Sequence, residues 1–520
     1  MMDATLQRPA LSDLALRRLL LVLVAIGLLW RTGRYLLAFP IWGDEAMLLL
    51  NVAWHDYGTL ATRLDNCQIA PLLFLWGQRL ALQTLGHGEL AMRLMPFVAG
   101  VAALFLHWRL ASRLLDPLPR LFAVGFLAVA IWPVSMSALA KPYSFDLLMA
   151  LLLLVPAAEW LHDRNRTGWL VLLALAAPVA MLGSYPAAFA GGAAGLALLV
   201  PAWRGGWRTR GLLAAYGAML LAGFAAAYVV GSAQLATLTH AGIDTREGMA
   251  RYWAAGLPPG NPLSFLRWLL LGTTGQMAAY PVGDSYGGSS VTAFLACVGG
   301  AALARSRRWP VLVLLAAPVA LNLVAAMMGR YPYGSSCRLA QALAPGICLL
   351  AGLGTASLVA RSGRWTLGVA GLFALIGLGG LARDALRPYR SPGDLWSREV
   401  YGLMGRLTEG APVVVCGPRN NNEPVFVWHW SANGSGATFD YELPQGDDGL
   451  VWGACFGEGA DAACERLGSD LARRDPRWRL AERQTWRHVP TERKDEPLRA
   501  DLFRFVKDGG AGMAARPRQP

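Results

Sequence analysis

Long apolar runs dominate the first three quarters of this 520-residue chain, and they restrict the folds that it can adopt. Because 55% of the residues are hydrophobic and only 16% are charged, the chain holds more apolar surface than soluble cores can bury. Runs of about 18 to 20 residues are long enough to cross a bilayer as single helices. The pattern predicts a polytopic α-helical membrane protein with about eleven transmembrane helices, near residues 16–38, 92–112, 120–139, 143–161, 168–185, 186–203, 211–232, 289–304, 309–328, 338–360 and 364–382.

Arginines are concentrated in alternate short loops between these runs, and their placement predicts the orientation of the chain. By the positive-inside rule the arginine loops face the cytoplasm, so the amino terminus is predicted to lie inside. An odd number of spans then places the carboxyl terminus outside the cytoplasmic (inner) membrane. The loops are marked by Arg17 and Arg18, Arg113 and Arg120, Arg164 and Arg166, Arg204, Arg208 and Arg210, Arg305, Arg307 and Arg308, and Arg361 and Arg364.

The net charge of +13 follows largely from this topology, and it does not indicate nucleic-acid binding. A nucleic-acid-binding protein would need a basic face interleaved with aromatic residues on a soluble domain, and the sequence contains no such pattern. The expected surroundings of the apolar spans are membrane lipids.

The composition turns soluble after the last span, which predicts a second domain. Residues 386–507 begin with a helical pattern and continue with the strand-like runs PVVVCG, PVFVWHW, GLVWGACF and DLFRFV and with a helix around 460–474. We therefore expect a transmembrane domain at 1–385, a small extracytoplasmic α/β domain at 386–507, and a disordered tail at 508–520. A long outer connection at 233–288 interrupts the spans.

The cysteines permit a limited redox argument. Five of the seven cysteines fall on the predicted outer side, where disulfides can persist. Cys455 and Cys464 are close enough in sequence to close a short loop, but the spacing leaves open whether they pair. The chain has no CxxC pair, so a structural zinc site is not expected.

Two adjacent carboxylates, Asp44 and Glu45, follow the first apolar run in the sequence GDEA. Acidic side chains beside hydrocarbon are costly, so such a pair marks a candidate functional site. The alternative is that the pair merely begins a solvated loop. Other unusual polar clusters fall on the same predicted side of the membrane, which favours a shared outward-facing cavity.

Lysine is scarce in this chain, and one lysine lies in the membrane region. Lys141 stands apart from Lys494 and Lys507, which both belong to the soluble region, while arginine supplies the remaining cations. A compact ammonium suits a phosphate partner, although interfacial snorkelling would also explain it. Tyr143 and Asp146 lie on the same segment, and Tyr143 could instead belong to an aromatic belt.

Two arginines also lie on the predicted outer side. Arg338 opens the span 338–360 against the positive-inside trend, so a purely topological role does not explain it. Arg93 follows Glu89 by four residues, and an ordinary helical ion pair is therefore an alternative for Arg93.

An ordered series of short motifs resembles one superfamily over residues 15–385. The motifs are DEA after the first span, then N-x-Q-x-A-P-L-x-F-L, E-L-A-x-R-L, K-P-Y-S-x-D, S-Y-P-A-x-F, and Y-P-Y-G followed by an arginine and a proline. With these motifs in this order, the chain resembles the GT-C membrane glycosyltransferases, and more narrowly the bacterial branch related to protein O-mannosyltransferases and to the aminoarabinose transferase of lipid A.

The resemblance implies an inverting glycosyltransferase that uses a polyprenyl-phosphate-linked sugar as donor and a lipid, polysaccharide or protein of the cell envelope as acceptor. A divalent cation could assist, with His55 and His240 as outer histidines. The chain departs from the family pattern at Cys67 and in the serine and cysteine that precede the arginine of the last motif. The implied roles are catalysis for Asp44 and Glu45, donor-phosphate binding for Lys141, Arg338 and Arg93, and substrate binding for Tyr143, Asp146, Gln68 and Tyr333.

A multi-pass transporter or flippase is the competing class. In that class the acids and the lysine would relay protons or bind a transported substrate. Transporters commonly place such groups at the bilayer midplane and are built from repeated halves. This sequence concentrates its polar clusters on one predicted side and shows no repeat, which favours the enzyme.

Overall fold

The structure is a computed structural model, and it divides the chain into two compact units. The first unit comprises residues 1–38, 55–84 and 90–386, and the second comprises 39–54, 85–89 and 387–520. The residues described are 11–237, 244–284, 287–360, 362–408, 411–416, 422–432, 439–440, 443, 449–492 and 495–508. The predicted disordered tail after Asp508, and His240, lie outside the described residues.

Helices account for most of the described chain. The first ten are α1 (Asp13–Leu36), α2 (Gly43–Trp54), α3 (Tyr57–Thr62), α4 (Leu72–Leu85), α5 (Glu89–Leu114), α6 (Pro117–Ala128), α7 (Ile131–Met136), α8 (Tyr143–His162), α9 (Gly168–Gly183) and α10 (Ala187–Trp203). The next ten are α11 (Trp207–Leu235), α12 (Thr245–Tyr252), α13 (Pro262–Gly272), α14 (Ser289–Arg305), α15 (Trp309–Met327), α16 (Ala344–Val359), α17 (Gly363–Leu386), α18 (Pro392–Leu407), α19 (Asn422–Ala432) and α20 (Ala460–Arg474).

The helices of the first unit have the lengths and composition of a membrane protein. Within the described residues, six apolar helical segments of at least 18 residues can cross a bilayer, and four further apolar helices are shorter. The six are Glu89–Leu114, Tyr143–His162, Trp207–Leu235, Trp309–Met327, Gln341–Val359 and Gly363–Leu386, and the shorter four are Pro117–Ala128, Gly168–Gly183, Ala187–Trp203 and Ser289–Arg305. Each of the eleven predicted spans coincides with at least one helix, but fewer than eleven reach spanning length.

Two predicted spans differ from the structure in a way that bears on the site. The span 120–139 is broken between Ala128, where α6 ends, and Ile131, where α7 begins; Pro133 has no amide hydrogen with which to bond the carbonyl of Val129. The buried Arg31 guanidinium donates to the backbone oxygens of Leu127 and Ala128 at 3.1 and 2.7 Å, which satisfies carbonyls at the end of α6. The helix of the span 338–360 begins only at Ala344, so Arg338 precedes it.

Close glycine contacts hold α16 in the interior of the first unit. A Cβ atom on Gly354 would lie 1.9 Å from the backbone oxygen of Leu295 in α14, and one on Gly299 would lie 2.0 Å from that of Leu350. Small residues let helix backbones approach at such crossings. Most of α16 is therefore buried, in contact with α6, α14 and α15.

The second unit contains a five-stranded mixed sheet. Its strands are β1 (Val413–Cys416), β2 (Phe439–Asp440), β3 (Leu450–Phe456), β4 (Trp478–His488) and β5 (Leu498–Lys507), in the order β2-β1-β3-β5-β4. β1 pairs in parallel with β2 and β3, whereas β5 runs antiparallel to β3 and β4. Leu467 and Leu471 of α20 pack with Phe503 and Phe505 of β5 on one face of the sheet.

Aromatic side chains form a cluster in the second unit between helices and the sheet. Tyr401 of α18 and Phe426 of α19 contact Phe456 of β3, with ring centroids 5.2 and 4.8 Å from it. α2 also packs against α19. The segment that carries Asp44 and Glu45 therefore packs as part of this unit.

The structure corrects one sequence expectation for this region, adds a strand and answers a question that the sequence left open. PVFVWHW forms part of α19 rather than a strand, because its continuous apolar run fits a buried helix as well as a strand. The strand β4 was not anticipated, because its alternation is dominated by charged and polar residues. Cys455 and Cys464 do not form a bridge: all seven cysteines of the chain, each within the described ranges, are free.

Candidate active site

The segment between α7 and α8 places Lys141 in the interior of the first unit. The side chain of Lys141 is buried, and its Nζ donates a hydrogen bond to Oε1 of Gln68 at 2.7 Å. The snorkelling interpretation is therefore wrong, because the ammonium does not extend towards the surface. Pro142 then starts α8, so Tyr143 is the first residue of that helix.

Gln68 belongs to a loop with an unusual backbone conformation. Asn66 and Cys67 have φ angles of 59° and 51°, in the left-handed region that side chains seldom adopt. The Gln68 side chain is nearly buried and donates from Nε2 to the backbone oxygen of Asn66 at 3.2 Å. Such conformations persist only where the surroundings enforce them, and they cluster at functional sites.

An ion-pair network holds the start of this loop. Asp65 accepts from Nε2 of His55 at 3.0 Å and from Nη2 of Arg63 at 3.0 Å. The hydrogen bond from His55 and the bond from Arg63 lower the pKa of the Asp65 carboxyl to about 2, although burial opposes them. His55 thus has a carboxylate partner in the first unit, and it positions the loop that carries Gln68.

Arg338 lies against Tyr143, so two predicted site residues meet in the structure. The guanidinium carbon of Arg338 is 5.8 Å from the Tyr143 ring centroid and 5.7 Å from that of Trp253. Its Nη2 also donates to the hydroxyl of Tyr252 at 3.4 Å. Cation–π contacts of this kind fix a guanidinium without neutralising it. Tyr143 therefore contacts a cationic side chain of the same unit, which membership of an aromatic belt would not require.

Lys141 and Arg338 are connected through one short segment. Consecutive Cα atoms are about 3.8 Å apart, so the Cα atoms of Lys141 and Tyr143 are separated by no more than about 7.6 Å. Lys141 itself carries the ammonium, and the ring of Tyr143 contacts the Arg338 guanidinium, so residues 141–143 contribute to the placement of both cations.

Asp146 has a partner on the next helical connection. Its Oδ1 accepts a hydrogen bond from the Ser184 hydroxyl at 2.6 Å, and Ser184 Oγ in turn accepts from the Ala187 amide at 3.2 Å. Asp146 is buried, one turn into α8. This geometry supports a positioning role for Asp146, since it joins the first turn of α8 to the segment before α10.

Tyr185 and Gln234 form a further set of hydrogen bonds between segments, which the sequence did not predict. The Tyr185 hydroxyl donates to the backbone oxygen of Ala70 at 3.1 Å and to Oε1 of Gln234 at 3.2 Å. Gln234 is fully buried and donates from Nε2 to the backbone oxygen of Leu60 at 3.1 Å. These bonds join the loop of Gln68 to α11, and Tyr185 lies in a motif that the sequence did single out.

Tyr333 contacts a different set of residues from the other candidate site residues, and it lines a cavity. Its hydroxyl is 2.8 Å from Oγ1 of Thr273, and its ring centroid is 5.4 Å from that of Trp268. The cavity has a volume of about 460 Å³ and is also lined by Arg267 and Ser335. Among the described residues, Tyr333 makes no hydrogen bond or ring contact with Lys141 or Gln68.

Arg93 is buried in the first turns of α5 and belongs to the first unit. Glu89, its suggested helical partner, belongs to the second unit and pairs with Arg398 at 3.3 Å. Glu89 also accepts a hydrogen bond from the Ile41 amide at 3.3 Å. Glu89 therefore anchors the segment that leads into α2.

Asp44 and Glu45 occupy the first turn of α2 rather than a loop. Glu45 is fully buried and Asp44 is half-buried, so the solvated-loop alternative is wrong for Glu45. Acidic side chains are favoured at a helix N-terminus, which accounts for the stability of the pair there. Neighbouring positions on a helix are rotated by about 100°, so the two carboxylates point in different directions.

A family model and solved structures are similar to this chain. The model of the family "Dolichyl-phosphate-mannose-protein mannosyltransferase" matches residues 69–229, which include Arg93, Lys141, Tyr143 and Asp146. No curated protein matches the sequence. The matched segment is less than half of the chain, and Gln68, Arg338, Asp44 and Glu45 lie outside it.

The fold is similar to that of ArnT from Cupriavidus metallidurans. The structure bound to undecaprenyl phosphate has a TM-score of 0.51 and 13% identity, with 92% of this chain and 97% of that chain covered. The apo structure has a TM-score of 0.50 and 12% identity, with 93% and 97% covered. The predicted resemblance to GT-C glycosyltransferases related to ArnT and the protein mannosyltransferases is confirmed.

Proposed function

We propose that this membrane protein is an inverting glycosyltransferase that moves a sugar from a polyprenyl-phosphate donor to a hydroxyl-bearing acceptor of the cell envelope. The proposed location is the outer face of the cytoplasmic membrane, with the amino terminus inside. The match of residues 69–229 to the mannosyltransferase model supports the reaction class. The solved ArnT structure contains undecaprenyl phosphate, which is the chemical class of the proposed carrier.

The observation that carries the proposal is the fixed placement of two cations, the ammonium of Lys141 and the guanidinium of Arg338, which contacts the ring of Tyr143. Gln68 positions the Lys141 ammonium, and the rings of Tyr143 and Trp253 position the Arg338 guanidinium. An ammonium binds phosphate as a point charge, and a guanidinium binds two phosphate oxygens at once. In this proposal both groups bind the donor phosphate, with Arg93 as a further cation.

The chemistry assigns a separate role to the acidic pair. The acceptor oxygen forms a bond to the anomeric carbon while the bond from that carbon to the phosphate oxygen breaks. The bonding electrons leave with the phosphate, where Lys141 and Arg338 stabilise the developing charge. The hydroxyl proton passes to Asp44 or Glu45 acting as general base. Attack opposite the leaving phosphate inverts the anomeric configuration.

The resemblance allows a divalent cation in this reaction, but the described residues supply no cluster of protein ligands for one. Within the described ranges, no three His, Cys, Asp or Glu residues are grouped to hold a metal ion. Asp44 and Glu45, as neighbours on one helix, do not converge on a single ion by themselves. We therefore derive no step through a metal.

Transfer in detergent solution separates the enzyme from a flippase. A flippase moves its substrate between leaflets and forms no product in micelles, whereas the proposed enzyme yields a glycosylated acceptor and free polyprenyl phosphate. The purified protein is incubated with lipid extracts that contain the lipid-linked sugar accumulated in a deletion strain. Absence of any transferred sugar with the native envelope extract would remove the enzyme proposal.

Matched variants connect that activity to the cations. Lys141→Met and Arg338→Met should each weaken donor binding and lower turnover by at least tenfold, since each removes a charge-assisted contact. Arg330→Met makes the same chemical change at an exposed arginine near Arg338 and should retain the activity of the unmodified protein. Equal turnover in all three variants would show that the phosphate is bound elsewhere.

The proposed orientation has its own test. A reporter that is active only outside the cytoplasm should be active when fused after Lys507 and inactive when fused near Arg307. The reverse pattern would place Lys141 and Arg338 on the cytoplasmic side, which is incompatible with an outward-facing donor site.

A further inference from the structure

The second unit contains an open cleft of about 610 Å³ whose lining is mainly cationic. The lining side chains are those of Asp461, Arg483, Thr485, Arg487 and Arg499. Arg483, Thr485 and Arg487 alternate along β4 and so share one face of the sheet. The volume is within the range of small-molecule sites.

The strand register brings two of these arginines directly opposite each other. Arg487 of β4 pairs across the sheet with Arg499 of β5. Side chains at such positions begin about 4.5–5.5 Å apart, and like charges directly opposite are destabilising. An anion between the two guanidinium groups would convert this repulsion into attraction.

Two carboxylates of the second unit neutralise only part of the positive charge in the cleft. The fully buried Asp501 accepts from Nη2 of Arg483 at 3.0 Å and from Nε of Arg499 at 2.7 Å. Asp461 pairs with Nη1 of Arg483 at 2.6 Å. Arg487 has no ion pair with any residue in the described ranges, so one cation of the cleft is left for a ligand.

The position of the Asp461 carboxylate indicates where an oxyanion can bind in the cleft. Its carboxylate lies between Arg483 and Arg499, at 2.6 and 4.0 Å, yet 70% of its side chain is exposed. An exposed ion pair of this kind contributes little to stability, so a stronger anion can displace the carboxylate towards solvent at small cost. A phosphate carries more charge than a carboxylate and binds guanidinium groups bidentately.

We propose that this cleft is a second anion site, which binds a phosphate group through Arg487 and Arg499; the Thr485 hydroxyl, on the same face of β4 as Arg487, donates to Asp501 instead. The phosphate belongs either to a lipid headgroup or to a free phosphate compound. The cleft lies in the second unit, whereas Lys141 and Arg338 belong to the first.

The test measures phosphate binding by the purified full-length protein in an uncharged detergent, at constant ionic strength. The Arg338→Met background is used throughout, so that the donor site contributes little. The probes are inorganic phosphate and dihexanoyl phosphatidic acid, titrated by calorimetry. We expect saturable binding that Arg487→Gln weakens about tenfold, and that Asp461→Asn strengthens because it removes the competing carboxylate.

Arg479→Gln is the matched control. Arg479 lies on the same strand, is exposed and pairs with Asp508 at 2.6 Å, outside the cleft. Its replacement should leave phosphate affinity unchanged. Equal losses in Arg479→Gln and Arg487→Gln, or no loss in Arg487→Gln, would overturn the site as non-specific screening. Binding of phosphatidic acid alone would identify a lipid headgroup, and equal binding of both probes would identify free phosphate as sufficient.

Discussion

Lys141 and Gln68 join two loops that are 73 residues apart in the sequence, through a hydrogen bond of 2.7 Å between Nζ and Oε1. Both side chains are buried, so the bond is shielded from competing water. Gln68 is in turn fixed by the backbone of Asn66, whose conformation is left-handed. The position of the ammonium therefore depends on the conformation of the loop that precedes α4.

We expect Gln68→Leu to weaken binding of the polyprenyl-phosphate donor. Loss of a hydrogen bond to a charged group is worth about 1.5–3 kcal/mol, which corresponds to a loss of affinity of about tenfold or more. Gln83→Leu removes an amide from an exposed position of α4 and serves as the control. Donor binding followed with a fluorescent polyprenyl phosphate should fall only for Gln68→Leu, and equal affinities would show that Lys141 does not depend on Gln68.

Arg338 contacts two aromatic rings, so we expect that a lysine, which keeps the positive charge but not the planar guanidinium, cannot replace it fully. Arg338→Lys retains the charge but loses the planar contacts with Tyr143 and Trp253, so donor KM should rise although the charge is conserved. Trp253→Ala should produce a similar increase by releasing one face of the guanidinium. Trp207→Ala, at a residue that is 86% exposed on α11, should leave KM unchanged. A normal KM in both Arg338→Lys and Trp253→Ala would contradict a role for the stack.

The acidic pair should affect turnover more than binding. Asp44→Asn and Glu45→Gln preserve side-chain shape, and at least one should lower kcat by ~10² to 10⁴ if the carboxylate accepts the acceptor proton. Donor affinity should change much less. A thermal unfolding midpoint close to that of the unmodified protein would separate lost chemistry from lost folding, which matters because Glu45 is fully buried. Full turnover in both variants would end the general-base assignment.

The lowered pKa of Asp65 predicts that the stability of the fold falls at acidic pH. Its pKa is lowered from 3.8 to about 2 by the hydrogen bond from His55 and by Arg63, so the ionised carboxylate stabilises the fold above pH 4. This contribution is lost as the pH falls from about 4 towards about 2. The difference in unfolding temperature between the unmodified protein and Asp65→Asn should therefore be constant near neutrality and shrink towards pH 2. Asp163→Asn, at a more exposed ion pair, should show no such convergence.

The sequence predicted the helices of the first unit well, because long apolar runs determine them locally. It also singled out Lys141 and Arg338 as candidates, since a rare lysine and an arginine on the unexpected side are visible without coordinates, and their roles stay predictions. Trp253 could not be found in this way, because its contact with Arg338 joins segments that are distant in the sequence. The same holds for Gln234, whose role depends on partners in three other segments.

Predictions for the second unit were less accurate for a related physical reason. The run around Val425 is apolar on all sides and shows neither a period of 2 nor one of 3.6, so burial by neighbours decided between helix and strand. The sequence predicted no helix at Gly43–Trp54, because its 12 residues are too few for a membrane span. Helix α2 forms because those residues pack against α19.

The close contact between α14 and α16 at two glycines restricts where the isoprenoid tail of the proposed donor can bind. Positions 299 and 354 have no space for a single added carbon atom, since Cβ atoms there would lie about 2 Å from backbone oxygens of the facing helix. A prenyl chain is at least as wide as the carbon atom that this crossing excludes. The seam between α14 and α16 is therefore sealed, and the tail of the proposed donor must run along another surface of the helices.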